Sequence, residues 1–191
     1  MGATLMILSL SAVFTCAQEA QQDQQAMMEA YMKMMAPNEN HEYLKNFVGA
    51  WDVTTTSWMM PGEEPAITHN FSKAELILGG RFLRMVFEGT MMGMPFEGIQ
   101  IIGYDNIQKK YISFWIDNSS TGFYLLSGML DDSGKVMTEK GVWPDPMSGG
   151  NMKVKTTTKW TGPDEFVYEM FMIGPDGQEF KSLQNQMKRK K

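Results

Sequence analysis

Cysteine, histidine and arginine are scarce in this sequence: one Cys (Cys16), two His (His41, His69) and three Arg (Arg81, Arg84, Arg189) in 191 residues. A single cysteine excludes a disulfide framework and a thiolate metal site within the chain. The two histidines lack H-x-x-x-H spacing, and no histidine lies near the C-terminus to act as an axial haem ligand, so no metal and no cofactor is expected. His41 reads as a helix cap or packing residue, and His69 as a strand residue that could reach an interior beside Ile67 and Phe71. Gly-x-Ser-x-Gly elbows, P-loops and dinucleotide fingerprints are also lacking, which leaves hydrolase and transferase chemistry without support. Positive charge is in deficit too, with a net charge of −5. The one basic cluster, Lys188 to Lys191, is a chain end, so no nucleic-acid surface is expected.

Long hydrophobic runs are missing as well. The most apolar stretch, Leu5 to Leu10 with Ala12, Val13 and Phe14, is too short to span a bilayer and sits in an uncharged beginning of the chain. It reads as the apolar region of a signal peptide over residues 1–17, cleaved after Ala17 with Thr15 at the −3 position. The rival is lipoprotein anchoring at Cys16, for which Phe14 and Thr15 make a poor recognition site. Either route predicts an exported protein, periplasmic or extracellular.

What remains is about 170 residues, the size of one domain. Hydrophobic residues at 43% and charged residues at 20% are ordinary for a globular protein. Residues 18–36 form a Gln- and Met-rich tether or short helix: Met27, Met28, Tyr31, Met32, Met34 and Met35 have amphipathic spacing, and Pro37 ends it. Clustered thioethers can hold Cu(I), but the twenty methionines of the chain read better as adaptable apolar filler. A second short helix is predicted from Asn38 or Asn40 as N-cap, burying Leu44, Phe47 and Val48 and ending at a left-handed Gly49. From Trp51 onward, short β-branched and aromatic runs alternate with Gly, Pro, Asn and Asp turns, such as Gly79-Gly80, Gly149-Gly150 and Pro175-Asp176-Gly177. About ten strands result, and connections this short force an antiparallel meander. Closure removes its two edges, so residues 37–191 are predicted to form an all-β barrel with interior room for a small ligand.

Several segments support that architecture from another direction: Pro37, His41, Leu44 and Gly49-Ala50-Trp51; Leu78-Gly79-Gly80-Arg81-Phe82-Leu83; Glu88-Gly89-Thr90 with Gly93, Pro95-Phe96 and Gly98; Gly103-Tyr104-Asp105; Trp115-Ile116-Asp117-Asn118; and Glu179-Phe180-Lys181 before Arg189. In order and spacing they resemble the bacterial family called domain of unknown function fifteen seventy-nine, which implies a lipocalin-like barrel without an assigned activity. Asn185-Gln186-Met187-Lys188 departs from that pattern, leaving the pairing of the last strand open. The Gly49-x-Trp51 pair with a late Arg189 is similar to the calycin arrangement, in which a first-strand Trp packs beneath a last-strand Arg; the resemblance gives both residues a structural role.

Candidate ligand-binding residues cluster on one strand. Period-two alternation puts Tyr111, Ser113, Trp115 and Asp117 on one side, and Ile112, Phe114 and Ile116 on the other. Both sides are largely apolar, so either could line the interior. Arg84, an arginine within a strand of a lysine-rich chain, is a candidate reader of a ligand carboxylate, or a partner of Glu88. No catalytic residue stands out. The first functional expectation is a barrel holding a small apolar or amphipathic molecule. The alternatives are an enzyme using Asp117 or Glu88 as general base and an interaction protein, most simply a homodimer, because the Phe166 to Ile173 strand is apolar on both faces.

Overall fold

The computed structural model describes residues 21–145 and 149–191. The predicted signal peptide, the alternative anchor at Cys16 and the start of the Gln-rich stretch lie outside the described residues. The chain divides into two units, Met1–Ala36 and Pro37–Lys191. In the first, residues 21–35 form helix α1, with Met27, Met28, Tyr31, Met32, Met34 and Met35 exposed. Among the described residues no helix is long and apolar enough to cross a membrane.

The second unit opens with α2 (Glu39–Leu44), capped by Asn38, whose side-chain oxygen accepts the Asn40 N–H at 3.0 Å. His41 completes a capping box by accepting the Asn38 N–H at 3.1 Å through Nδ1. Burial first, and then the Arg81 charge, lower the His41 pKa, favouring the neutral ring this bond requires. A 3-10 turn (Lys45–Phe47) follows. Leu44 and Phe47 are buried as expected, but Val48 is 39% exposed. Gly49 is not a helix terminator: it opens the first strand at φ +133°, and a Cβ there would stand 2.9 Å from the Arg189 guanidinium. Glycine is needed for that approach.

Ten strands follow: β1 (Gly49–Ser57), β2 (Ala66–Ile77), β3 (Phe82–Met91), β4 (Met94–Asp105), β5 (Lys110–Asp117), β6 (Tyr124–Leu130), β7 (Val136–Pro144), β8 (Asn151–Gly162), β9 (Glu165–Ile173) and β10 (Glu179–Arg189). Each pairs antiparallel with the next, and β10 returns to β1, so the sheet is a closed barrel. The polar last strand pairs with both neighbours despite its weak β-propensity, with Trp51 opposite Arg189 and Val53 opposite Met187, and with a register shift against β9 between Lys181 and Leu183. Closure supplies partners on both sides that outweigh intrinsic preference.

Alternation divides the strands cleanly. Trp51, Val53, Ala74, Leu83, Met85, Ile102, Tyr111, Met137, Phe166 and Met187 form the core, inside the barrel with the helical segment. That segment closes one end. Trp51 Nε1 donates to the Phe47 carbonyl at 2.8 Å, Tyr111 Oη to the Asn40 carbonyl at 3.0 Å, and Trp160 Nε1 to Tyr43 Oη at 3.2 Å. At the same end, the Arg189 guanidinium lies 4.2 Å from the Trp51 ring centre and donates to the carbonyls of Val48 and Asn46 and to Asp164.

Candidate functional site: the barrel lumen

The end opposite the helices is the one at which β1, β3, β5, β7 and β9 finish. Towards it, the inward side chains change from fully buried to half-buried: Asn70, Phe87, Gln100, Trp115, Tyr124, Met170 and Asn185 all retain accessible surface. Strand β5 shows the gradient within one element. Tyr111 and Ser113 are 1% and 2% exposed, whereas Trp115 and Asp117 are half-buried.

The face carrying Tyr111, Ser113, Trp115 and Asp117 is thus the inward one, as their pairing with Tyr104, Ile102, Gln100 and Gly98 on β4 requires. Their surroundings differ. Tyr111 belongs to the floor, its hydroxyl held by Asn40 and its pKa raised by burial. Trp115 forms an aromatic wall with Phe87, at 5.4 Å between ring centres, and Phe96, at 6.3 Å. Gly98 makes room for it, since a Cβ there would fall 2.4 Å from the indole. Trp115 Nε1 donates to Asp117 at 2.7 Å, and the other Asp117 oxygen accepts from the Ser119 N–H and hydroxyl. Burial raises the Asp117 pKa, but these bonds outweigh it and hold the carboxyl below its ordinary value. Asp117 is an ionised, saturated turn cap.

Arg84 is placed elsewhere. It alternates with the inward Leu83 and Met85, so it points outward, and it pairs with Glu75 across β2 at 2.6 Å rather than with Glu88. It lines a shallow groove on the outer face with Phe71, Lys73, Glu75, Val86 and Glu88. Because Arg84 and Glu75 satisfy each other and Lys190 lies over Phe71, this groove is a weaker candidate than the lumen. His69 is outward too, beside Thr54 at 3.4 Å, with Ile67 and Phe71 on the same outer face.

The lumen holds a further ionisable group at mid-depth. Glu139 on β7 is 1% exposed and accepts a 2.6 Å hydrogen bond from the Ser113 hydroxyl, which reaches across β6. Ser113 is its one hydrogen-bond partner among the described residues. Desolvation pushes its carboxyl up to about 6, against the smaller opposite effect of Ser113. Thr156 on β8 stands directly opposite Glu139, buried, with its hydroxyl unpartnered. Tyr168 on β9 neighbours both; burial of its hydroxyl and then the Glu139 charge raise its pKa, while the residue as a whole is only partly buried. Thr156 lies close enough to favour the Tyr168 phenolate slightly, yet the pair lacks the geometry of a hydrogen bond.

A model of the family described as "Protein of unknown function (DUF1579)" matches residues 36–189, nearly the whole barrel unit. The chain belongs to the DUF1579 family. No curated protein matches it. Among solved structures, the DUF1579 barrel is similar to the S-type phycobiliprotein lyase CpeS from Guillardia theta, with TM-score 0.58, 9% identity, and 84% of this chain and 97% of that one covered. A redesigned β-barrel also matches, at TM-score 0.41 and 17% identity, covering 78% of this chain and 96% of that one. At such identities the lyase likeness shows the lipocalin-like fold alone.

Sequence reasoning missed Glu139 in this DUF1579 chain because each face of β7 carries one charge: Met137, Glu139, Gly141 and Trp143 inward, Thr138, Lys140 and Val142 outward. The signal that finds it is the aromatic and Met company of the inward set, which marks the glutamate as the exception on a core face.

Proposed function

We propose that this protein is an exported carrier that holds a small amphipathic molecule in the upper half of its barrel. One observation carries the reading: above a floor sealed by helix and aromatic rings, the lumen keeps a wall of partly accessible aromatic and Met side chains over a few buried polar groups. Small-molecule sites have this composition, an apolar wall with a few polar groups that fix orientation. Trp115 supplies the wall, while Tyr111 and Ser113 hold the floor and Glu139 in place. Export rests on the apolar leader and the cleavage position after Ala17.

The general-base alternative finds less support. Asp117 has a lowered pKa and a full set of donors, and Glu88 is exposed on the outer face, so neither is poised to take a proton. The homodimer reading also loses its motive, because Lys155 covers Phe171 at 4.7 Å and Lys181 pairs with Glu169 beside it. Native mass spectrometry of protein purified from its own host tests the carrier reading. The expected spectrum shows a bound molecule of a few hundred daltons on a polypeptide beginning at Gln18. A ligand-free barrel that also ignores added amphiphiles overturns it.

A further inference from the structure

Charge is distributed unevenly between the two faces of the barrel. Every lysine on a strand occupies an outward position, and the one inward-register arginine, Arg189, is folded onto the floor against Trp51 and Asp164. The inward positions carry two carboxylates, Asp117 and Glu139. Asp117 is saturated by Trp115 and Ser119. Glu139 has Ser113 alone, and no cation among the described residues pairs with it. A buried carboxylate without a counter-charge is costly to keep ionised, and a cationic partner would remove that cost.

We propose that Glu139, with Thr156 and Tyr168 beside it, anchors the ammonium group of an amphipathic amine whose apolar tail lies along the Trp115 wall. This rests on the carrier reading above and names the ligand class. An ammonium group brings three donors and a positive charge, and the site offers matching acceptors: the Glu139 carboxylate, the unpartnered Thr156 hydroxyl and the Tyr168 phenol oxygen. A fatty acid is the wrong sign for this lumen, because its carboxylate would meet Glu139 with no inward lysine or free arginine to hold it. Arg84, the strand arginine considered as an anion reader, points outward and is paired to Glu75.

Calorimetric titration of the full-length protein at pH 8.5 with decylamine, decanol and decanoate, each below its micellar concentration, tests the assignment. Decylamine is expected to bind roughly tenfold or more tightly than decanol, the gain of one charge-assisted hydrogen-bonded pair, and decanoate more weakly than both. Glu139→Gln should bring decylamine down to the decanol affinity and leave decanol unchanged. Ser113→Ala keeps the carboxylate but removes its donor, so the preference for the amine should persist or grow; this variant decides the matter if Glu139→Gln fails to fold. Decanol binding with no advantage for decylamine, or a preference that survives Glu139→Gln, overturns the amine assignment while the carrier reading stands. Failure of all three probes to bind overturns both.

Discussion

The two ends of this barrel solve opposite problems with the same kinds of residue. At the helix-covered end, Trp51, Trp160 and Tyr111 spend their polar atoms on the helical segment; the two indoles set their rings against Phe166, and Tyr111 sets its ring against Tyr43 and Tyr104, with ring centres 4.9–5.1 Å apart in the Trp51–Phe166 and Phe47–Phe166 pairs. Tyr43 shows the depth of that packing, since burial pushes its phenol up to about 12. At the open end, Trp115 and Trp143 are half-buried, and Trp115 bonds to a neighbour on its own strand, Trp143 to the Leu125 carbonyl. The lesson is that an aromatic residue closes a barrel only when something across the lumen takes its polar edge; otherwise it forms a wall.

That contrast can be broken most severely from the closed end. Trp51→Ala removes a fully buried indole and the platform under Arg189, and should cost about 3–5 kcal/mol in urea unfolding. Trp115→Ala, by contrast, should cost clearly less than Trp51→Ala while weakening ligand retention more; equal costs would erase the distinction between floor and wall. Arg189→Lys keeps the charge but loses the planar fork that reaches Asp164, Val48 and Asn46 together, for an expected loss of about 2 kcal/mol.

Mid-depth, the sign reverses. Because the folded-state pKa of Glu139 is raised to about 6 from 4.5, the native state binds the proton more tightly than the unfolded chain. This group therefore favours folding fully at pH values below about 4.5, and the benefit is lost as pH rises through 6. The loss is on the order of 2 kcal/mol. Glu139→Gln should flatten that part of the stability-versus-pH curve, as measured by urea midpoints at pH 4 and pH 7.5. An unchanged slope would show that Glu139 titrates as a solvated group. The smallest effect is expected outside: Arg84→Gln breaks a half-exposed ion pair with Glu75, and thermal melts should move by the equivalent of about 0.5 kcal/mol or less.

The frame of this fold was readable in the sequence because strand period and turn chemistry are local, whereas the distant Trp51–Arg189 pairing was implied only by the resemblance. The strand positions from β1 to β10 follow from Gly, Pro, Asn and Asp punctuation, and the Asn38 cap from residue type. What resisted reading was the direction of each face. Strand β5 is apolar on both sides, so alternation could not say that the Tyr111–Trp115 side looks inward; its neighbours on β4 decide it. For β3 the information was present but unused, since Phe82, Arg84, Val86 and Glu88 form the more polar side and place Arg84 outside. Glu139 depends on three strands at once, with Ser113 reaching over β6 and Thr156 facing it from β8, and no single-strand pattern contains that meeting.

Closure of the sheet also sets an order of events. The seam that completes the barrel joins Trp51 to Arg189, so residues at opposite ends of the folded unit must find each other before any strand row is fully paired. Until β10 has been synthesised, β1 and β9 each present an unpaired edge, and the floor lacks the guanidinium that caps Trp51. Contacts of such long sequence separation are slow to form. Until that last strand docks the seam stays open, a state that a chaperone can capture, and the barrel should become resistant to protease only when β10 pairs with β1.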